Sequence, residues 1–237
     1  MSPLGFITLL HVAAGTVVLA VAPAAMIVRK GGAWHRRWGI AFALAMVFVL
    51  ASAAFMWESH GHLFLLVLDA VSAYLVFAGY RTIARRRRRT RDARADRIDA
   101  LAAGGVAACA AALAGIGAYA RGPLMRELAG VLLALAAIAA AFAYLDLKAL
   151  AERKQSRLGS LLVHLSAMIA AYISAVTAFV VINAHGVPMT LRWLVPSVAG
   201  SAVIAGFSIA YRRRFARARR ASPSPSPSGD TSLMPTR

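Results

Sequence analysis

Six histidines and a few acids carry most of the chemistry this chain has to offer. Glu58, His60 and His62 sit together in WESHGHLFLLVLDA, and Asp69 follows inside apolar sequence. Imidazole and carboxylate groups are ligands for zinc-type ions, and an H-x-H spacing in a loop lets two rings converge on one ion. Helix geometry limits the idea. His62 and Asp69 share a face at i, i+7, yet stand about 10 Å apart along the axis, whereas ligand bonds are about 2 Å long. The stretch therefore divides into an outer metal candidate, made of Glu58, His60 and His62 with His185 as a further donor, and a separate Asp69. His11 lies about 10 Å in from the same side by rise per residue. The two depths predict a buried His11–Asp69 pair, in which an imidazole N–H donates to the carboxylate and offsets part of its burial cost.

A second level of groups enters from the opposite side. His164 lies about 9 Å deep in its apolar run, and Asp146, Asp99 and His35 are its expected partners. His35 opens HRRWGI, flanked by Trp34 and Trp38, residues suited to a membrane interface. Two histidines facing each other from different helices are the axial ligand set of a b-type haem. Only His11 and His164 lie well inside apolar runs, so the sequence accommodates one haem, held through His35 and His164 with His11 as the remaining candidate.

The elements that position these groups follow from composition. The chain has 237 residues, 60% hydrophobic and 15% charged, with a mean hydropathy of +0.66. Such values describe a membrane protein. Seven apolar runs, about 4–28, 37–57, 62–84, 98–119, 124–147, 158–183 and 191–211, are each long enough for a bilayer core that takes about 20 helical residues. The fold class is all-α, an integral bundle of seven transmembrane helices over 1–220, with a disordered Pro/Ser tail over 221–237. The fourth and fifth runs are mostly Ala, Gly and Leu, which predicts close helix packing.

The formal net charge is +18. A nucleic-acid domain carries such charge on one face of a soluble fold. Here it lies in the links 29–36, 81–97 and 148–157 and after 212, while the opposite links hold only Arg121, Arg126 and Arg192. That pattern excludes nucleic acid as the partner and predicts an outside N-terminus, a cytoplasmic C-terminus and basic links that meet anionic lipid headgroups. The N-terminal run lacks a positive leader and reads as a retained helix rather than a cleaved signal. Cys109 is the single cysteine, so no internal disulfide forms, and no P-loop, G-x-S-x-G or H-E-x-x-H motif is present.

Two stretches, HVAAGTVVLAVAPAAMIVRKGGAWHRRWGIAFALAM and HLSAMIAAYISAVTAFVVIN, together with LRWLVPSVAG, resemble a family of bacterial multi-pass membrane proteins known as a predicted membrane domain of unknown function. The resemblance covers the first, second and sixth helices and the start of the seventh. It implies a bacterial inner-membrane location and points at His11, His35 and His164. It implies no reaction, and Glu58, His60, His62 and Asp69 lie outside it.

Four functions remain open on these residues. The first is a redox-linked protein with a b-type haem between helices. The second is a proton-coupled transporter or sensor, with Ser166 or Thr177 bridging the two histidine levels. The third is a metal-dependent hydrolase at the outer cluster. The fourth is a scaffold or assembly protein without cofactor. No catalytic residue is assigned, and whether the chain is an enzyme stays undecided.

Overall fold

The computed structural model describes residues 2–60, 63–87, 93–119, 123–152 and 156–221. Among them lie seven helices and no strand: α1 (Pro3–Ile27), α2 (Ala33–His60), α3 (Leu63–Arg87), α4 (Ala93–Ala118), α5 (Pro123–Ala151), α6 (Arg157–Asn183) and α7 (Met189–Ala221). All seven are long and apolar enough to cross a membrane. The expected seven-helix membrane bundle is therefore the observed fold. Helices α4, α5 and α7 outrun the apolar stretches that announced them. Ala and Arg are strong helix formers, so the helix continues where the membrane-compatible sequence stops. The Pro/Ser tail, from 222 on, lies outside the described residues.

Local chemistry sets the helix ends. Ser2 caps α1, its Oγ accepting from Gly5 N at 3.2 Å, with Pro3 in the first turn. Ser156 caps α6 in the same way through Gly159 N at 2.9 Å. The α1–α2 turn needs φ +78° at Gly31, a backbone region that a residue with a Cβ enters only with strain. The α6–α7 turn is stitched by Arg192, which donates to Val187 O at 2.7 Å and Val181 O at 3.2 Å. Most hydroxyls within the spans are spent on their own helices. Thr8, Thr16, Ser72, Thr82, Ser174, Thr177 and Ser197 each donate to the carbonyl four residues back. In hydrocarbon this satisfies the O–H without a partner helix.

Helix α3 is central, packed on α2, α4, α5 and α6. The main core joins Val18 and Val21 of α1, Phe42 and Met46 of α2, Leu75 of α3, Ala139 of α5 and Ala171 of α6. Helix α7 rests on α6 alone among the larger contacts, through Gly200. A Cβ there would stand 2.2 Å from Ile173 Cδ1 and Cγ1. Gly200→Val is therefore expected to cost about 1–3 kcal/mol through overpacking, read as a lower unfolding midpoint. Ile173→Ala in the same chain should return part of the loss.

Pro23 sits inside α1 and has no N–H to offer the Leu19 carbonyl. Tyr172 of α6 supplies the missing donor, its hydroxyl 3.4 Å from Leu19 O. An intrahelical defect thus becomes a link between α1 and α6.

Candidate functional site

At the end of the bundle bearing the α1–α2 turn, two histidines approach each other. His35, in the first turn of α2, and His164, in the second turn of α6, have ring centroids 6.4 Å apart and planes at 81°. Each ring is anchored by backbone. His35 Nδ1 lies 3.0 Å from Ala25 O, and His164 Nδ1 lies 2.9 Å from Gly79 O. A carbonyl only accepts, so both Nδ1 atoms carry the proton and both Nε2 atoms keep a lone pair.

The anchors have local causes. Ala25 belongs to the last turn of α1, where carbonyls lack an intrahelical donor. Lys30 joins His35 there, its Nζ donating to Ala25 O at 2.9 Å and Met26 O at 2.6 Å. A cation at this position also meets the negative end of the helix dipole. The same Nζ stands 5.5 Å over the Phe207 ring of α7, and burial pushes the Lys30 ammonium below its ordinary value. Gly79 lets α6 come close: a Cβ there would meet Met168 Cε at 2.9 Å and Ala167 Cβ at 3.3 Å. That approach brings the Gly79 carbonyl within reach of His164. Trp34 stacks on Trp38 at 6.3 Å, with Arg37 over Trp34 at 5.3 Å.

His35 is thus the partner that His164 finds. Asp99 and Asp146, its other expected partners, are engaged elsewhere. Arg81 donates to Asp99, Arg85 Nη2 donates to Asp146, and Arg85 Nε lies 3.5 Å from Asp99 Oδ2. Tyr74 OH donates to Asp146 Oδ2 at 2.9 Å, and Arg81 also reaches Ala95 O at 3.0 Å. Asp99 and Asp146 are only 3% and 4% exposed. They are members of a buried ion cluster joining α3, α4 and α5, not water-facing helix ends. Arg81 and Arg85 open the run RTIARRRRRTR, whose basic character reads as a membrane flank. The inward turn of two of its arginines has no signal in composition.

The expected His11–Asp69 pair does not form. His11 Nδ1 lies 2.8 Å from Ser52 Oγ, because α1 packs along α2 and has no extensive contact with α3. Matching depth was a necessary condition for the pair, but the helices carrying it had to be neighbours. Asp69, on α3, makes no hydrogen bond or ion pair among the described residues. The outer metal candidate, Glu58, His60 and His62, lies outside the described side chains. His185 is exposed in the α6–α7 turn. Among the described residues no group of three His, Cys, Asp or Glu gathers at metal-binding distance. Comparison with family models, curated proteins and solved structures finds nothing that matches this chain.

Proposed function

We propose that this chain is a multi-pass protein of the bacterial cytoplasmic membrane that holds one b-type haem through His35 and His164 and works in electron transfer. The observation that carries the reading is the paired, backbone-anchored imidazoles 6.4 Å apart. Two Nε2 atoms sharing one metal at about 2 Å each set ring centroids about 6 Å apart. An Nδ1–H bonded to a carbonyl is the outer contact that fixes the orientation of a ligating histidine and raises its basicity.

The number of donors favours haem over a bare ion. A porphyrin fills four positions on its iron and asks the protein for two, whereas protein-bound zinc takes three or four side chains. Haem, when bound, supplies a one-electron couple whose potential its surroundings tune. In this chain the tuning groups are Lys30, with its positive charge, and the apolar shell of Met168 and Phe207. The surrounding orientation, N-terminus outside and basic links in the cytoplasm, belongs to the same proposal. Exposed Arg86, Arg94, Arg97 and the arginines between 212 and 220 would then meet anionic headgroups.

A proton path through the bundle is less well supported. Fully buried Val18, Met46 and Leu75 fill the core between the two histidine levels, and Thr177 bonds its own helix. The test of the haem reading is a reduced-minus-oxidised visible spectrum of the full chain, purified in detergent from cells supplied with haem precursor. A low-spin bis-imidazole difference band is the expected result. A flat spectrum would sink the reading and leave the cofactor-free scaffold.

A further inference from the structure

The α1–α2 turn holds a positive charge that has no counter-ion. Lys30 is half-buried there, just before Gly31, whose φ of +78° shapes the turn. Its ammonium donates to Ala25 O and Met26 O and stands over the Phe207 ring. The two carbonyls use two of its three N–H groups and leave its charge uncompensated. Among the described residues no carboxylate pairs with Lys30. Charges taken out of water are ordinarily paired. Here burial alone acts on the ammonium and pushes it below its ordinary value, with no anion beside it to hold it up.

Position ties this charge to the histidine pair. Lys30 Nζ at 2.9 Å and His35 Nδ1 at 3.0 Å bond the same Ala25 oxygen, so one atom separates the ammonium from the ring. Its charge acts on His164 as well as on His35. Arg81 and Arg85, the cations inside the bundle, are committed to Asp99 and Asp146. Toward the middle of the bundle, Val18, Met46 and Leu75 are fully buried and carry no charge.

A b-type haem is apolar over most of its surface and bears two propionate carboxylates on one edge. An ionised carboxylate placed among those apolar side chains costs several kcal/mol, and a cation offsets that cost only from close by. The polar edge therefore belongs on the side of the pair where Lys30 stands. We propose, resting on the haem reading, that Lys30 binds one haem propionate through its third N–H and turns the polar edge of the cofactor toward the α1–α2 turn. The bond is charge-assisted, the stronger class of hydrogen bond. His35 and His164 hold the iron, and Lys30 holds the rim. The site then selects porphyrins whose carboxylates are free, and the bound propionate is the counter-ion that Lys30 lacks in the chain itself.

The test is a titration of the haem-free full chain in detergent with two probes, haem b and its dimethyl ester. The ester keeps the iron and the porphyrin but has no carboxylate charge. Binding is read from the low-spin bis-imidazole absorbance. The wild type should hold haem at least about tenfold more tightly than the ester, the worth of one hydrogen bond between charged groups. Lys30→Met should weaken haem by about that factor and leave the ester unchanged, so the preference disappears. Lys30→Arg keeps the charge and should keep the preference. Arg29→Met, an exposed neighbour on the same turn, should keep it too. Equal wild-type affinity for the two probes overturns the inference while the haem reading stands. So does a Lys30→Met loss that falls equally on both probes, which is the mark of a damaged turn, or a preference that Arg29→Met removes as fully as Lys30→Met. A wild type that gives no low-spin spectrum with either probe overturns the haem reading and this inference with it.

Discussion

Replacing Asp146 with alanine is expected to destabilise the bundle by about 3–5 kcal/mol, the usual cost of leaving a buried charge without its partner. Arg85 would lose the carboxylate that its Nη2 donates to, and Tyr74 would lose the acceptor of its hydroxyl. Arg85 has no second strong partner, since its other contact is Asp99 Oδ2 at 3.5 Å. The cluster matters because of what surrounds it. Helices α4 and α5 pack on each other along their length and meet the rest of the chain chiefly through α3. Their contact surfaces are built of residues such as Ala103, Ala110, Ala136 and Ala139. In lipid, apolar helices gain no hydrophobic driving force by touching, so such surfaces allow a close fit without choosing one position along it. The ion cluster supplies the choice. Reversible unfolding in mixed micelles measures the loss. The double variant Arg85→Met, Asp146→Leu should be clearly more stable than Asp146→Ala, because no unpaired charge remains. An Asp146→Ala midpoint equal to wild type would show that the cluster does not hold the hairpin.

The sequence carries the number of helices and the depth of each polar group, because both follow from runs of apolar residues and a fixed rise per residue. It does not carry which helices are neighbours. His11 and Asp69 match in depth, yet α2 lies against α1, and Ser52 takes the histidine's hydrogen bond instead. His164 and His35 match in depth and are brought together, because α1 and α2 are consecutive and α6 also touches α1. Pro23 is visible in the sequence inside the first apolar run, but the donor that repairs its missing N–H, Tyr172 on another helix, is not. Arg81 and Arg85 read as topology signals because charge type is visible in sequence and helix face is not, in a segment where nearly every position is basic. Ser52 and Gly79 gave no warning. Each is a small residue of ordinary membrane composition, and each acts through an atom whose partner lies on another helix.

His164→Ala should remove the bis-imidazole spectrum completely, the largest change foreseen for any single variant in the haem reading. The imidazole on α6 is the more firmly built of the two. Its Nδ1 is tied to Gly79 O, and the α3–α6 contact that presents this carbonyl is held by the missing Cβ at Gly79. Alanine leaves that contact intact, so the fold should survive and the loss should report ligation. Added imidazole then fits the space that the ring vacates and should restore a low-spin spectrum, which a folding defect would not allow. His35→Ala should behave differently. His35 also helps to satisfy the end of α1 at Ala25 O, but Lys30 holds the same carbonyl, so the helix end stays capped and one axial ligand remains. The expected product is a high-spin, five-coordinate spectrum rather than an empty protein. Lys30→Met removes a cation near the pair and should lower the midpoint potential, since a nearby positive charge favours the reduced state of a metal centre. Identical spectra for wild type, His164→Ala and His35→Ala would place any haem elsewhere in the chain and leave the two rings as a packed pair closing α1 against α6.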